Sequence, residues 1–380
     1  MTKILISAGD YSADMHGLAL VQSLKNINPT LEVTALGGIK LKAVSDHFLQ
    51  DMVGLDVSGF SQPIKQFFNL RKILHSQIFP KLEKKEIDAV ILIDYYGFNI
   101  HIAQKAFEEG IPVFYFVSPQ VWASRSGRIK KLKKYVTKML VIFPFEEELY
   151  KKNGVNATFV GNPLVDVLPN SFSHRSYSKA NPFEIVLLPG SRVRELKRHI
   201  PLMVQTFLEL KKSFPNIQGK MIAVDSLQDE LYKEIGDTFK FGDTPNLKVS
   251  PISLVRDPDY SHRLKAGLAL TASGTATLEN ALLGLPMVVI YKTSWLTHFI
   301  AKRLIRVPYI SMPNILLEKK CVPEFVQEEA NHQTLSRSCG ELLSNPNLLE
   351  STYLELIKLK KSLGPPGAYA RAAKIILDAI

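Results

Sequence analysis

Short apolar runs, each followed by a helical pattern, recur along this chain and constrain its fold more than any other feature. Lys3–Ser7, Glu32–Leu36, Ala89–Ile93, Val113–Val117, Met139–Ile142 and Thr158–Val160 form one set. Glu184–Leu188, Lys220–Val224, Leu247–Ser250, Gly267–Leu270 and Met287–Tyr291 form a second. Several are continuously apolar, as strands buried on both faces must be, and strands alternating with helices build parallel sheets covered on both sides. The fold class is therefore α/β, with two Rossmann-like domains. The polar, patternless stretch Asn170–Pro182 reads as the linker between them. This divides the chain into domains at 1–170 and 171–345, followed by C-terminal helices at 346–380. The last helix, Ala368–Ile380 after the "GPPG" break at Gly364–Gly367, is expected to pack back on the N-terminal domain. Open α/β sheets bind ligands beyond the carboxyl ends of their strands, so the two sheets are expected to face each other across a central cleft.

Composition narrows the function classes. At 380 residues, 46% of them hydrophobic and 22% charged, the chain is long enough for two cores. Cys321 and Cys339 have neither metal-type spacing nor a CxxC pattern, which fits a reducing cytoplasm. The N-terminus runs straight into a strand, and no run reaches the roughly 18 apolar residues of a membrane span. The net charge of +11 and pI near 9.3 favour an anionic partner. Six of the ten residues Arg125–Lys134 are cations. Nucleic acid is not expected, because no zinc-finger or RNA-binding signature accompanies them and no aromatic residues interleave. The run reads either as a solvated helix face or as a contact for anionic headgroups. No metal and no cofactor is expected: the Asp-x-Asp string Asp257–Asp259 lies on a polar turn where helix capping is the natural role.

Two turns in the second half have the form of anion sites. In "LLPGSRVRE", Leu187–Glu195, a strand enters a Pro-Gly turn and then a helix, so backbone N–H groups at Gly190 and Ser191 converge with the Arg192 guanidinium, unless this is a plain strand-turn-helix with a surface arginine. In Leu268–Tyr291 a strand ends in small residues and Ser273, Gly274 and Thr275 open a helix. A diphosphate needs donors without bulk, which Gly274 and the helix start supply, with hydroxyls from Ser273 and Thr275. Glu279, four residues past Thr275 on the same helix face, is placed to accept from ribose hydroxyls. The alternative makes Ser273 an N-cap and Glu279 a solvated first-turn acid. In the first half, Asp94 ends the strand "AVILID" at its carboxyl edge, where a catalytic group belongs on such a sheet; the alternative makes it a cap of the helix that begins near Phe98. Asn99, in the same "DYYGFN" string, either orients a substrate or caps the following helix. "ISAGDYSADMHG", Ile6–Gly17, makes a second strand-to-helix turn bearing Asp10, Ser12, Asp14 and His16.

"SPQVWA" at Ser118–Ala123, "FPFEEELY" at Phe143–Tyr150, "FVGNPLVD" at Phe159–Asp166, "LPGSR" at Leu188–Arg192, "ASGTATLE" at Ala272–Glu279 and "SMPNIL" at Ser311–Leu316 resemble lipid-A-disaccharide synthase. The likeness is collinear from the first strand to about Gln327. It implies an inverting glycosyltransferase of the two-Rossmann-domain, GT-B type, usually active without a metal. The implied reaction joins the glucosaminyl unit of UDP-2,3-diacylglucosamine to the 6-hydroxyl of 2,3-diacylglucosamine 1-phosphate, giving a β-1,6 disaccharide and UDP. The likeness also implies Asp94 as the catalytic aspartate, Asp10 as an auxiliary acid, and substrate contacts at Ser12, Asn99, Ser118, Gln120, Trp122, Asn162 and Asn314. Because both substrates carry acyl chains, the implied location is cytoplasmic, peripheral to the inner face of the inner membrane. The segment Val53–Leu74, with Phe60, Phe67, Phe68, Lys65, Arg71 and Lys72, reads either as an interfacial helix or as a core helix.

The chain departs from the family pattern mainly in its first half. "GDYSAD" has Asp10 for the usual glutamate and Ala13 for a glycine, and "DYYGFN" has Tyr96 and Gly97 for the usual proline and second acid. Ser124 stands where a second tryptophan is common. Two alternatives stand beside the synthase: another UDP-sugar enzyme of this architecture, such as a 2-epimerase, and a non-catalytic UDP-sugar or anionic-lipid binding protein.

Overall fold

The computed structural model describes residues 1–53, 63–121, 127–169, 184–224, 227–238, 252–293 and 308–380. They fall into two compact units, Met1–Asp166 with Leu363–Ile380, and Val167–Ser362.

The first unit is built on seven parallel strands: β1 (Lys3–Ala8), β2 (Glu32–Gly37), β3 (His47–Asp51), β4 (Ala89–Ile93), β5 (Val113–Phe116), β6 (Lys138–Val141) and β7 (Ala157–Phe159). Their spatial order is β3-β2-β1-β4-β5-β6-β7, so the winding reverses between β1 and β4. That reversal leaves a crevice beyond the carboxyl ends of those two strands, the place where doubly wound sheets take ligands. All five residues of β4 are buried, as a strand covered on both faces requires. β3, "HFLQD", has mixed polarity and partly exposed residues, which is why no apolar run announces it. Val117, expected to extend β5, instead takes a positive φ of 57° and ends it.

The C-terminal helix Ala368–Leu377 packs on the helix Tyr11–Ile27 and buries Ala372, Ala373 and Ile376 in the same core as Ile4 and Ile6. Asp166 caps it, accepting from the backbone N–H groups of Gly367 and Ala368. His16 serves this packing: it lies edge-on to Phe116 and its Nδ1 is 2.9 Å from the Tyr369 hydroxyl. Burial lowers its pKa to about 4, with Asp10 working the other way.

The second unit carries six parallel strands: β8 (Glu184–Leu188), β9 (Gln218–Ile222), β10 (Ile252–Val255), β11 (Leu268–Ala272), β12 (Met287–Tyr291) and β13 (Glu324–Val326), in the order β10-β9-β8-β11-β12-β13. Here the winding reverses between β8 and β11. The expected strand Leu247–Ser250 lies outside the described residues, and the strand at this edge of the sheet is Ile252–Val255. The linker Asn170–Pro182 also lies outside them, as do Phe60, Trp122, Ser124 and Arg125.

Of the basic run, Arg128–Tyr135 is a helix that buries Ile129 and Leu132. The segment beginning at Pro63 is helical to Ile73 and continues as one π-turn, Leu74–Ile78. Ile73 and Leu74 are buried while Phe68 is 61% exposed, so the helix has both a core edge and an outward aromatic. Among the described residues no helix is long and apolar enough to cross a membrane.

Candidate active site

Asp94 and Asp10 follow β4 and β1, the two strands that flank the reversal of the first sheet. Asp94 is half-buried and sits in a tandem left-handed turn, with φ of 44° at Asp94 and 45° at Tyr95. Non-glycine residues rarely adopt this region, so the surroundings must hold them there. They do so through the Asp94 backbone. Its N–H donates to the Val117 carbonyl at 3.2 Å, and its carbonyl accepts from Asn99 Nδ2 at 2.9 Å and from the Tyr115 hydroxyl. Asn99 also donates to the Ile93 carbonyl at 3.2 Å and accepts from Ser7 Oγ at 2.7 Å. Its carboxamide is fully buried, so Asn99 lies under the turn as its brace.

The electrostatics of this corner follow from its packing. Burial pushes the Asp94 pKa up to about 6; the negative charge of Asp10 adds to the rise, while the Tyr95 N–H and the Arg128 guanidinium oppose it. Arg128 lies 4.4 Å above the ring of Tyr96. Asp10 is the N-cap of the helix Tyr11–Ile27, accepting from the Ala13 N–H at 2.8 Å. Ser12 is exposed beside it. Asp14 is buried and accepts from the N–H groups of Gly38, Lys40 and Leu41 at 2.7 to 3.0 Å, tying the first helix to the start of the short helix Ile39–Lys42.

The other first-unit residues expected at the substrate divide by exposure. Gln120 is exposed. Ser118 and Asn162 are buried. Ser118 Oγ donates to Glu146 Oε1 at 2.5 Å, a carboxylate that also accepts from the Phe143 N–H and so fastens the loop after β5 to the helix Pro144–Lys152. Asn162 accepts from Leu164 N and donates to the Ile142 carbonyl, closing the turn after β7.

In the second unit, the two expected anion turns follow β8 and β11, again the strands flanking the reversal. The first already holds an anion of the chain's own. Glu195 Oε2 accepts from the N–H groups of Ser191 at 3.1 Å and Arg192 at 3.4 Å, and its Oε1 pairs with the Arg192 guanidinium at 3.1 Å. Gly190 takes φ of 113°, a conformation that L side chains rarely adopt, and a methyl group on it would also displace Glu195 Oε2, 2.4 Å away. Arg192 itself is 75% exposed. Buried His199 braces this turn, with Nδ1 2.7 Å from the Pro189 carbonyl and Nε2 accepting from Lys292 N–H at 3.3 Å.

The second turn is open. Gly274 has φ of 149°; among the described residues nothing lies within 4 Å of where its side chain would be, and no side chain caps the helix Thr275–Leu282 that it precedes. Thr275 is exposed. Ser273 does not cap the helix: its hydroxyl donates to the Ile310 carbonyl at 2.7 Å. That bond secures the segment carrying Ser311 and Asn314. Asn314 is fully buried, donating to Glu324 Oε1 and the Val322 carbonyl and accepting from the Cys321 and Val322 N–H groups. Glu279 is half-buried and accepts from Arg263 at 2.6 Å. Among the described residues no group of three His, Cys, Asp or Glu side chains could hold a metal ion.

Residues 4–372 match the family described as lipid-A-disaccharide synthetase. The chain belongs to the lipid-A-disaccharide synthase family. Relatives of that name from Syntrophus aciditrophicus (strain SB) and Coxiella burnetii (strain CbuG_Q212) are each 35% identical over 99% of this chain, covering 97% and 98% of their own lengths. Among solved structures, MurG of Acinetobacter baumannii superposes with a TM-score of 0.62 at 14% identity, over all of both chains. The UDP-GlcNAc 2-epimerase of Neisseria meningitidis bound to UDP-GlcNAc does so with a TM-score of 0.57 at 16% identity, over 99% of each. The fold is that of the GT-B glycosyltransferases, and as a lipid-A-disaccharide synthase family member the chain is a glycosyltransferase acting on a UDP-sugar and a lipid.

Within this synthase family scaffold, three supports went unrecognised in the sequence. Tyr115 reads in the sequence only as a strand residue, although its hydroxyl reaches the Asp94 carbonyl. Glu195 stands at the third helical position after Arg192, a capping-box spacing that was available as a signal. Arg263 and Asp257 give no periodic sign of their bond to each other or of Arg263's bond to Glu279.

Proposed function

We propose that Asp94 is the general base that takes the proton from the 6-hydroxyl of 2,3-diacylglucosamine 1-phosphate as that oxygen attacks the anomeric carbon of UDP-2,3-diacylglucosamine. The new C–O bond forms on the face opposite the breaking bond to UDP, which gives the β-1,6 disaccharide and free UDP. The observation that carries the reading is the placement of Asp94: beyond the end of β4 at the sheet's reversal, half-buried, with its pKa raised to about 6. A base poised slightly below neutral is ionised at working pH yet still basic enough to accept a proton in the transition state. Asp10 supports it as a neighbouring anion that keeps that pKa high.

The UDP leaving group would take its charge stabilisation from the uncapped start of the helix Thr275–Leu282 at Gly274 and Thr275, and from Arg192 with Gly190 and Ser191. Glu279 would accept from the ribose hydroxyls. Gln120 and Ser12, both exposed, are candidates for direct contact with the acceptor sugar. Ser118, Asn162, Ser273 and Asn314 act by holding loops. The outward Phe68 and the basic face of Arg128–Tyr135 would meet an anionic membrane surface from the cytoplasmic side.

The test incubates purified protein with UDP-2,3-diacylglucosamine and the monosaccharide 1-phosphate and follows UDP and the disaccharide by mass. Asp94→Asn is expected to lower turnover by about 10² or more while UDP binding survives. Absence of disaccharide in the wild type, with UDP still bound, would leave a binding protein instead of a transferase.

A further inference from the structure

Arg263 lies on the short helix Ser261–Lys265 and is only 8% exposed, yet it carries a full charge held from three sides. Its Nε donates to Asp257 Oδ2 at 2.8 Å and its Nη1 to Glu279 Oε2 at 2.6 Å, while its guanidinium lies 4.4 Å from the centre of the Tyr260 ring. Asp257 is itself anchored, since its Oδ1 accepts from the His262 N–H at 2.8 Å. Burial works against the charge of Arg263, and the carboxylates of Glu279 and Asp257 outweigh it, so its pKa lies above the ordinary value. The planar fork of a guanidinium fixes the direction of each bond it makes, so a side chain locked by Asp257 and Tyr260 fixes the Glu279 carboxylate in turn.

We propose that Arg263 is a positioning residue that orients the Glu279 carboxylate toward the ribose of the bound nucleotide and thereby sets the preference for ribo- over 2′-deoxyribonucleotide. The proposal rests on the reading of Glu279 as the ribose acceptor. An acceptor ordered in advance avoids losing side-chain freedom when the nucleotide arrives. The "DPDYSHR" string, Asp257–Arg263, thus does more than cap a turn.

The experiment titrates the full chain with UDP and with 2′-deoxy-UDP by calorimetry. The wild type is expected to prefer UDP by about tenfold or more, the scale of one hydrogen bond to a charged group. Arg263→Met should bring that ratio close to one by weakening UDP alone. Because methionine leaves Asp257 as a buried unpaired charge, the double variant Arg263→Met/Asp257→Asn is measured beside it and carries the same expectation if the single variant does not fold. A wild-type ratio in the variants, or an equal loss for both nucleotides, overturns the proposal while leaving Glu279 untouched. A wild type that does not distinguish the two nucleotides, or a Glu279→Gln variant that still does, overturns the ribose reading and the proposal with it.

Discussion

The ring of Tyr95 occupies the space in front of Gly9, where a methyl group would lie 2.1 Å from the ring Cγ. Tyr95 shares its left-handed turn with Asp94, so displacing the ring displaces the turn. Gly9→Ala is therefore expected to cost about 1–3 kcal/mol of stability through overpacking and to lower turnover. Gly97→Ala, two residues past Tyr95 on the helix Tyr96–Glu108, meets nothing within 4 Å among the described residues and is the contrast. It should be neutral or gain up to about 1 kcal/mol. Denaturant melts and initial rates on the pair check both statements.

The acid limb of the pH–rate profile should report Asp94. The base works when ionised, so turnover is expected to rise as pH climbs through about 6 and to level off above. Asp10→Asn removes the neighbouring negative charge and keeps an equally good helix cap, so the limb should move to lower pH without loss of stability. Burial is the larger cause of the shift, so the limb should stay above the ordinary carboxylate range. Arg128→Met should move it the other way. Profiles of kcat for the three proteins decide this, and a limb indifferent to both substitutions would take Asp94 out of the rate-controlling ionisation.

Tyr115→Phe deletes one bond to the Asp94 carbonyl and leaves the Asn99 bond in place. Its expected cost is about 1 kcal/mol in stability, with kcat falling and the KM for the UDP-sugar held. Asn99→Ala removes the brace to both carbonyls and strands Ser7, for a loss of about 2–4 kcal/mol. Thermal melts with steady-state kinetics separate the two effects, and an unchanged kcat in Tyr115→Phe would mean the turn holds itself.

Asn280 is fully buried on the helix that carries Glu279, and neither polar atom of its side chain has a hydrogen-bond partner among the described residues. An unmet buried amide costs about 1–3 kcal/mol per group. Asn280→Leu, of similar size, is expected to raise stability by about 1 kcal/mol or more, with activity unchanged, in a calorimetric melt.

The buried strands were legible because burial on both faces leaves an unbroken apolar run, and the place of Asp94 followed from the acid that stands at the end of one such run. The edge strands β3 and β13 were not, since "HFLQD" and "EFV" are only partly covered. The polar residues are harder to read from sequence. Asn99, Ser118, Asn162 and Asn314, expected at the substrate, are each buried and hold a loop. An asparagine that ties down a carbonyl and one that binds a sugar have the same letter and the same apolar neighbours. Only the fold decides, because the partners lie as far as 92 residues away, as from Ser7 to Asn99. Arg263 was invisible for the same reason, sixteen residues before the carboxylate it holds.

The turn after β8 has a consequence for ligand exchange. Its N–H groups and guanidinium are occupied by Glu195, so an incoming anion arrives as a competitor against a tethered carboxylate. A tether of three or four residues acts like a high local concentration of that rival. If this turn receives the diphosphate as proposed, a free monoanion would meet the tethered rival at a disadvantage, whereas a phosphate held elsewhere through its nucleoside would share the benefit of tethering. Occupation of the turn would then follow capture of the ligand at a second point.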